Sequence, residues 1–339
     1  MFSIVSSLGL AAIAAVGANA ATLGAYNVDP NSVSVSGISS GGYMSAQLGI
    51  AYSSVFKTGF GAFAGGPYDC ARSQSYLNCM YNNIPLIAIP TNNMRTGSGI
   101  QFDPVENLKS RKIYMQVGSE DRVIGPNVMK QLDAELANFY DSSKTTFVTT
   151  SGAAHTFPTD FDGTGNNACG ESAAPYVSNC GYDGAGAVLE WMYGDLTPRN
   201  TGELTGSVLS FDQTGSYGSP GMGSSGYMYV PNACEDGSTV CKLHVVLHGC
   251  LQSYTNVQST FIDNSGYSKW ADTNNIIILF PQAVPDNVPH VIWNGIAVPN
   301  ANGCWDWVGW YGIDSDVRTG VQMTAMVNQV KQIISGYKA

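Results

Sequence analysis

The sequence predicts an α/β domain built on a mainly parallel sheet. Three observations carry this expectation. Apolar strands alternate with helix-patterned segments from residue 32 to 194, a G-x-S-x-G motif falls where a strand meets a helix, and a second run of apolar strands begins at Leu243. In SVSVSG (32–37) the alternation places Val33 and Val35 on one face, which reads as a strand. Met44, Leu48 and Tyr52 then recur at helical spacing over 41–54. KTGFGAFAG (57–65) and KIYMQVG (112–118) read as two further strands. Pro126 opens a helix with the apolar face Val128, Met129, Leu132, Leu136 and Phe139, since the first turn tolerates a missing N–H. TTFVTT (145–150) is the next strand, and a helix runs from the N-cap Asp183 through Val188, Leu189 and Met192 to Gly194.

The pattern then breaks. DLTPRNTGELTG and DQTGSYGSPGMGSSG are loop-like, with SVLSF (207–211) and GYMYVP (226–231) as short strands, which suggests an antiparallel edge. LHVVLHG follows, then a helix at Tyr267–Asn274, the strand IIILFP (276–281), a long Trp-rich loop and a final helix from Ser315. That helix repeats Val317, Val321, Val327, Val330 and Ile334. No internal repeat and no Pro- or Ser/Thr-rich linker divides the chain.

Residues 1–20, MFSIVSSLGLAAIAAVGANA, end in Ala18-Asn19-Ala20, the small-x-small pattern of a signal peptide cleaved before Ala21. The apolar core is shorter than the ~20 residues a bilayer span needs. Residues 21–339 are then expected to be one secreted catalytic domain, and a monomer. The net charge is −10 and basic residues never cluster, which argues against nucleic acid or an anionic membrane as partner. Charged residues are 12% and aromatics 11%, a balance suited to an uncharged and even insoluble partner. Eight cysteines show no C-x-x-C pair and the four histidines do not group with them, so no metal is expected. An even count in a secreted chain points to disulfides. The expected pairing is nearest neighbours: Cys70–Cys79, Cys169–Cys180, Cys234–Cys241 and Cys250–Cys304. On the loop-entropy model each short loop contributes roughly 2–3 kcal/mol and the long one about 4.

The chemistry starts at GISSG (37–41). Strand 32–37 and helix 41–54 give the strand–turn–helix setting of a nucleophile elbow, as in α/β-hydrolases, with Ser39 lifted out of the sheet. The bland alternative is a tight turn with solvent-facing serines. A serine needs a base, and the order in such hydrolases is serine, acid, histidine. GSEDRV follows strand 112–118 and presents Asp121, with Glu120 as a neighbouring rival; AAHTFP follows strand 145–150 and presents His155. All three loops would open on one sheet edge. His155 would take the serine proton and Asp121 would fix its tautomer. His244, inside a strand, reads as a core residue. Two N–H donors are needed for the oxyanion. Ser40 offers one, and the turn His248-Gly249-Cys250 after strand 243–247 offers the other at Cys250.

That turn normally precedes the nucleophile strand, yet here it lies some two hundred residues downstream of it. LHVVLHGCLQS, YSKWADTNNIIILFPQ and CWDW resemble, in that order, the upstream half of secreted polyhydroxybutyrate-type esterases, and YNVDPNSVSVSGISSGGYMSAQL resembles the start of their downstream half. The chain is thus similar to a circularly permuted α/β-hydrolase, with residues 195–204 joining the old ends, and most resembles the single-domain fungal extracellular poly(3-hydroxybutyrate) depolymerases. The resemblance implies a serine esterase that needs no cofactor and cleaves poly[(R)-3-hydroxybutyrate] to short oligomers and monomer. It also implies polymer adsorption on the catalytic domain's own surface, and Trp307 of CWDWVGW as a wall of the substrate crevice. Trp305 and Trp310 are as readily packed core. The alternatives are a secreted acetylxylan or feruloyl esterase and a non-catalytic adhesion domain.

Overall fold

Strands whose residues are apolar on both faces need covering on both sides, and the fold provides it. The structure is a computed structural model describing residues 21–339; the expected signal peptide, 1–20, lies outside the described residues. The first half of the chain runs β1 (Ser34–Ile38), α1 (Ser40–Ala51), β2 (Gly59–Phe63), α2 (Ala88–Gly97), β3 (Lys112–Gly118), α3 (Pro126–Leu136) and β4 (Thr145–Thr150). Three short strands, β5 (Phe157–Thr159), β6 (Asn167–Ala168) and β7 (Val177–Asn179), form a separate small sheet before α4 (Gly184–Tyr193). The second half adds β8 (Ser207–Asp212), β9 (Ser225–Val230), α5 (Asn232–Glu235), β10 (Lys242–Leu247), α6 (Tyr254–Val257), α7 (Thr260–Asn264), α8 (Tyr267–Asn274) and β11 (Ile276–Phe280). The hairpin β12 (Asp286–Val291) and β13 (Ala297–Asn300) and the long α9 (Val321–Ile334) close the chain.

The main sheet has eight strands in the order β4-β3-β2-β1-β10-β11-β9-β8. β1 pairs in parallel with β2 and with β10, so the two halves of the chain meet at the strand that leads to Ser39. Only β9 and β8, at one edge, run antiparallel to their neighbours. Counted from β8, the third and fourth strands exchange places and β1 follows as the fifth, so the fold is an α/β-hydrolase whose second half comes first. The ends opened by the permutation lie together: Tyr26 N donates to Ile333 O at 2.8 Å and Lys338 N to Asn27 Oδ1 at 2.9 Å. The segment joining the old ends is fastened to α8. Asp272 there accepts Asn200 Nδ2 at 2.6 Å and Thr205 Oγ1 at 2.7 Å.

A polar core lies inside the sheet. Val33 and Val35 pack into apolar core while Ser34 and Ser36, on the other face of β1, stand opposite β10. Ser34 Oγ bonds His244 Nδ1 at 2.6 Å and Ser36 Oγ bonds His244 Nε2 at 2.7 Å. Tyr193 OH and Tyr267 OH complete the chain at 2.7 and 2.6 Å. His244 is a core residue with both ring nitrogens satisfied. Burial pushes its pKa down to about 3. An unfolded histidine titrates near ~6.5, so below that value the unfolded chain takes a proton that the folded one refuses. The stability His244 contributes is therefore fully present above ~6.5 and is lost as pH falls toward 3, at up to about 1.4 kcal/mol per pH unit. Between pH 6.5 and 5, wild type should lose about 1.6 kcal/mol more than His244→Gln in urea unfolding. Parallel pH dependences would show that the ring is not the source. Asp69, pushed up to about 8, and the buried Glu135 act in the opposite direction, equally in both proteins.

Several elements differ from the sequence expectation. The final helix begins at Val321, not Ser315, because the preceding turn is held by another part of the chain. Arg72 donates to Ile313 O at 2.7 Å and to the carboxylate of Asp316. The first helix stops at Ala51 rather than residue 54, and Tyr52 leaves helical geometry at φ −125° and ψ 40°. The Trp-rich loop contains the hairpin β12–β13. The disulfides are Cys70–Cys79, Cys169–Cys180, Cys234–Cys241 and Cys250–Cys304, the nearest-neighbour set. No helix among the described residues is long and apolar enough to cross a membrane.

Candidate active site

The candidate residues emerge from the C-terminal ends of parallel strands. Ser39 follows β1 directly, with φ 59° and ψ −122°, a backbone state that costs a non-glycine residue on the order of 1–3 kcal/mol. Its neighbours force the shape. A Cβ on Gly37 would lie 2.4 Å from Gly41 O, and one on Gly41 would lie 2.3 Å from Leu247 O, so both must be glycine. Ser39 N donates to Phe63 O at 2.9 Å, and Ser39 O accepts Tyr43 N at 3.0 Å as α1 begins. Among the described residues Ser39 Oγ has no hydrogen-bond partner, and it lines a crevice of about 450 Å³ that His155 also lines.

His155 and Asp121 are joined. Asp121 lies past the end of β3, and its Oδ2 takes His155 Nδ1 at 2.8 Å. Its Oδ1 accepts Val123 N at 2.8 Å and Ile124 N at 2.9 Å, which locks the carboxylate plane. Burial would raise the Asp121 pKa, but His155 and the two N–H donors outweigh it and hold the carboxyl below its ordinary value. The acid is thus kept charged and accepts the Nδ1–H, while Nε2, on the other side of the ring, has no hydrogen-bond partner among the described residues. Glu120, the sequence rival, is exposed and makes no contact with the imidazole. His290 pairs with Asp286 at 2.8 Å on the β12–β13 hairpin and has no hydrogen bond to His155 or Asp121.

The turn after β10 carries the second candidate donor, Cys250 N–H. Neither Ser40 N–H nor Cys250 N–H has a protein acceptor among the described residues. The peptide that carries the Cys250 N–H is oriented from its other end, since His248 Nδ1 donates to Gly249 O at 2.7 Å. His248 Nε2 accepts Ala283 N at 3.0 Å, so the tautomer is defined, and burial lowers its pKa to about 4 and keeps it neutral. Fixing the carbonyl aims the opposed N–H and polarises it. Cys250–Cys304 then ties this turn to the Trp-rich segment, and Leu251 N donates to Asn302 O at 2.7 Å.

The three tryptophans divide. Trp305 is fully buried core beside His248, whereas Trp307 and Trp310 line the crevice. The Trp307 ring stacks on Tyr43 at 4.4 Å, and Tyr43 OH donates to Cys79 O at 2.5 Å. Asp306, buried between them, accepts Gly309 N at 2.7 Å, Trp310 N at 2.9 Å and Tyr311 N at 2.8 Å, and so winds the segment around its carboxylate. Sequence reasoning passed over Asp306, although a lone acid amid tryptophans is a visible signal. It also passed over Tyr43, whose role depends on partners far away in the chain. Among the described residues no cluster of His, Cys, Asp and Glu could hold a metal ion.

An arrangement of this kind can form an acyl-enzyme. A hydroxyl stands at a strained turn, an imidazole is oriented by an acid, and the turn that carries the unengaged Cys250 N–H lines the same crevice. No family model matches the chain. It is 62% identical over 338 residues to a polyhydroxybutyrate depolymerase of Talaromyces funiculosus, covering 100% of both proteins. It is 39% identical over 326 residues to a poly(3-hydroxybutyrate) depolymerase of Delftia acidovorans, spanning 62% of that protein's length. Among solved structures it matches an S39A variant of PHB depolymerase complexed with an R3HB trimer, with a TM-score of 0.93 and 63% identity over 94% of this chain and 100% of that one.

Proposed function

The chain belongs to the polyhydroxybutyrate depolymerases, and from that premise we propose the residues by which it hydrolyses the ester bonds of poly[(R)-3-hydroxybutyrate]. One observation carries the reading: the identity of 62% extends over the whole of both chains, so the match spans the sheet and every segment that lines the crevice. Ser39 Oγ attacks an ester carbonyl while His155 Nε2 takes its proton. The N–H groups of Ser40 and Cys250 receive the oxyanion. His155 returns the proton to the departing 3-hydroxyl, and the acyl group remains on Ser39. Water, deprotonated by the same nitrogen, then releases the acid as short oligomer or monomer. Asp121 keeps Nδ1 protonated and stabilises the imidazolium in both halves. We further propose a secreted monomer, in keeping with four disulfides. The named relatives do not favour a plant cell-wall esterase or a non-catalytic adhesion domain.

The crevice opens beside exposed apolar side chains that suit contact with an insoluble polymer. Tyr81, on the crevice wall, is 56% exposed, and Ile84, Leu86 and Ile89, which follow it in the chain, are 69%, 74% and 56% exposed, apolar side chains suited to contact with a polyester surface. Soluble hydroxybutyrate released from film, with none of the acetate released from acetylated xylan, is the expected outcome; the reverse would overturn the substrate. Trp307 belongs to the crevice wall in this reading. Trp307→Ala should reduce polymer hydrolysis at least about tenfold more than hydrolysis of a short soluble ester. Equal losses on both would assign the ring to packing against Tyr43.

A further inference from the structure

Gln252 is 1% exposed, two residues past the proposed oxyanion donor, and its whole amide is committed. Oε1 accepts Gly249 N at 2.7 Å. Nε2 donates to Pro175 O at 3.0 Å and to Tyr176 O at 3.0 Å. With a donor on one side and two carbonyls on the other, only one orientation of the amide satisfies all three partners. No hydrogen-bonding capacity is left on its nitrogen for a substrate.

Its partners belong to two separate loops, and Gly249 of one and Tyr176 of the other both line the crevice. Gly249 N–H lies one peptide before the Cys250 N–H, whose carbonyl end is already held by His248. Pro175 and Tyr176 belong to the loop closed by Cys169–Cys180, and that loop supports the base. Ser172 Oγ accepts His155 N at 3.0 Å, and the Tyr176 ring meets the His155 ring edge-on at 6.4 Å. Tyr176 is itself held at φ 56°, a state that needs outside support in a residue with a side chain. We infer that Gln252 is a positioning residue that clamps the oxyanion turn to the loop supporting His155, so that the Cys250 N–H and the imidazole keep one fixed separation. This rests on the roles proposed above for Cys250 and His155. The donor belongs to the displaced half of the chain and the base to the other, so a hydrogen-bonded strut between them sets the distance that the transition state must span.

The test uses the full-length protein and p-nitrophenyl butyrate. Gln252→Met keeps the volume and removes all three bonds. It should lower kcat about tenfold to a hundredfold with KM changed less than about threefold, and should weaken inhibition by butylboronic acid, a mimic of the tetrahedral adduct, by the same factor as kcat. Gln252→Glu keeps the acceptor for Gly249 but donates to neither carbonyl while ionised. Its kcat relative to wild type should rise as pH is lowered and the carboxyl becomes a donor. A folded Gln252→Met with kcat within twofold of wild type overturns the inference. If Gln252→Met does not fold, a ratio of Gln252→Glu to wild type that is flat with pH overturns it. Labelling by a fluorophosphonate separates the two levels. Wild type that labels at Ser39 upholds the underlying roles whatever Gln252 does, and wild type that does not label removes them.

Discussion

Ser39→Ala should lower hydrolysis of a soluble hydroxybutyrate ester by about 10⁴-fold or more while leaving the fold unchanged. The first half of this expectation comes from the role of the Oγ: without it no acyl-enzyme forms, and only the oxyanion donors and binding remain. In energy the loss is at least about 5.5 kcal/mol of transition-state stabilisation. The second half comes from the turn. Ser39 Oγ has no hydrogen-bond partner among the described residues, and the backbone that holds φ at 59° is fixed by Phe63 O and by the crowding of Gly37 and Gly41. Alanine therefore inherits the same strain and loses no bond, and the melting temperature should move by no more than about 2 °C. Steady-state rates with a melting curve on the same sample check both. Turnover within tenfold of wild type would remove Ser39 from the reaction.

Asp121→Asn should cost nearly as much, about 10³- to 10⁴-fold in kcat. The amide can keep its oxygen on the N–H groups of Val123 and Ile124, now held at 2.8 and 2.9 Å, which turns its NH₂ toward His155. The ring must then accept at Nδ1 and carry its proton on Nε2, where a base is needed. The geometry survives and the tautomer is wrong. A proton resonance of the ring nitrogen, seen on Nδ1 in wild type and on Nε2 in the variant, together with the rate, distinguishes this from simple loss of charge. A variant with near-native kcat would show that the acid only packs.

Much of this was legible because the signals were local. GISSG carries its own context, a strand before and a helix after, and the loops at Asp121 and His155 each follow a segment with strand propensity, KIYMQVG and the β-branched TTFVTT. The permutation was legible because HVVLHGC needs a nucleophile strand as its neighbour and finds one only far upstream; β1 and β10 are indeed paired. What escaped were elements without a buried face or without a local pattern. The β12–β13 hairpin is largely exposed and carries prolines at 289 and 299, so neither alternation nor propensity marks it. Strands β5 to β7 have only two or three residues each and hold their shape through Cys169–Cys180 and side chains such as Gln252. The start of α9 was misplaced because Arg72, more than two hundred residues earlier, fastens Asp316. Contacts at that separation have no signature in a single sequence.

The central claim is that this depolymerase cleaves hydroxybutyrate esters through a covalent intermediate on Ser39. It is tested most directly by mixing the enzyme with an (R)-3-hydroxybutyrate trimer, quenching in acid within the first turnovers, and mapping the peptides by mass. The account predicts a hydroxybutyryl or oligo-hydroxybutyryl adduct on the peptide containing Ser39, absent from Ser39→Ala and chased away when the quench is delayed until substrate is exhausted. Rapid hydrolysis with no adduct on that peptide at any quench time, or an adduct on a different side chain, would contradict it.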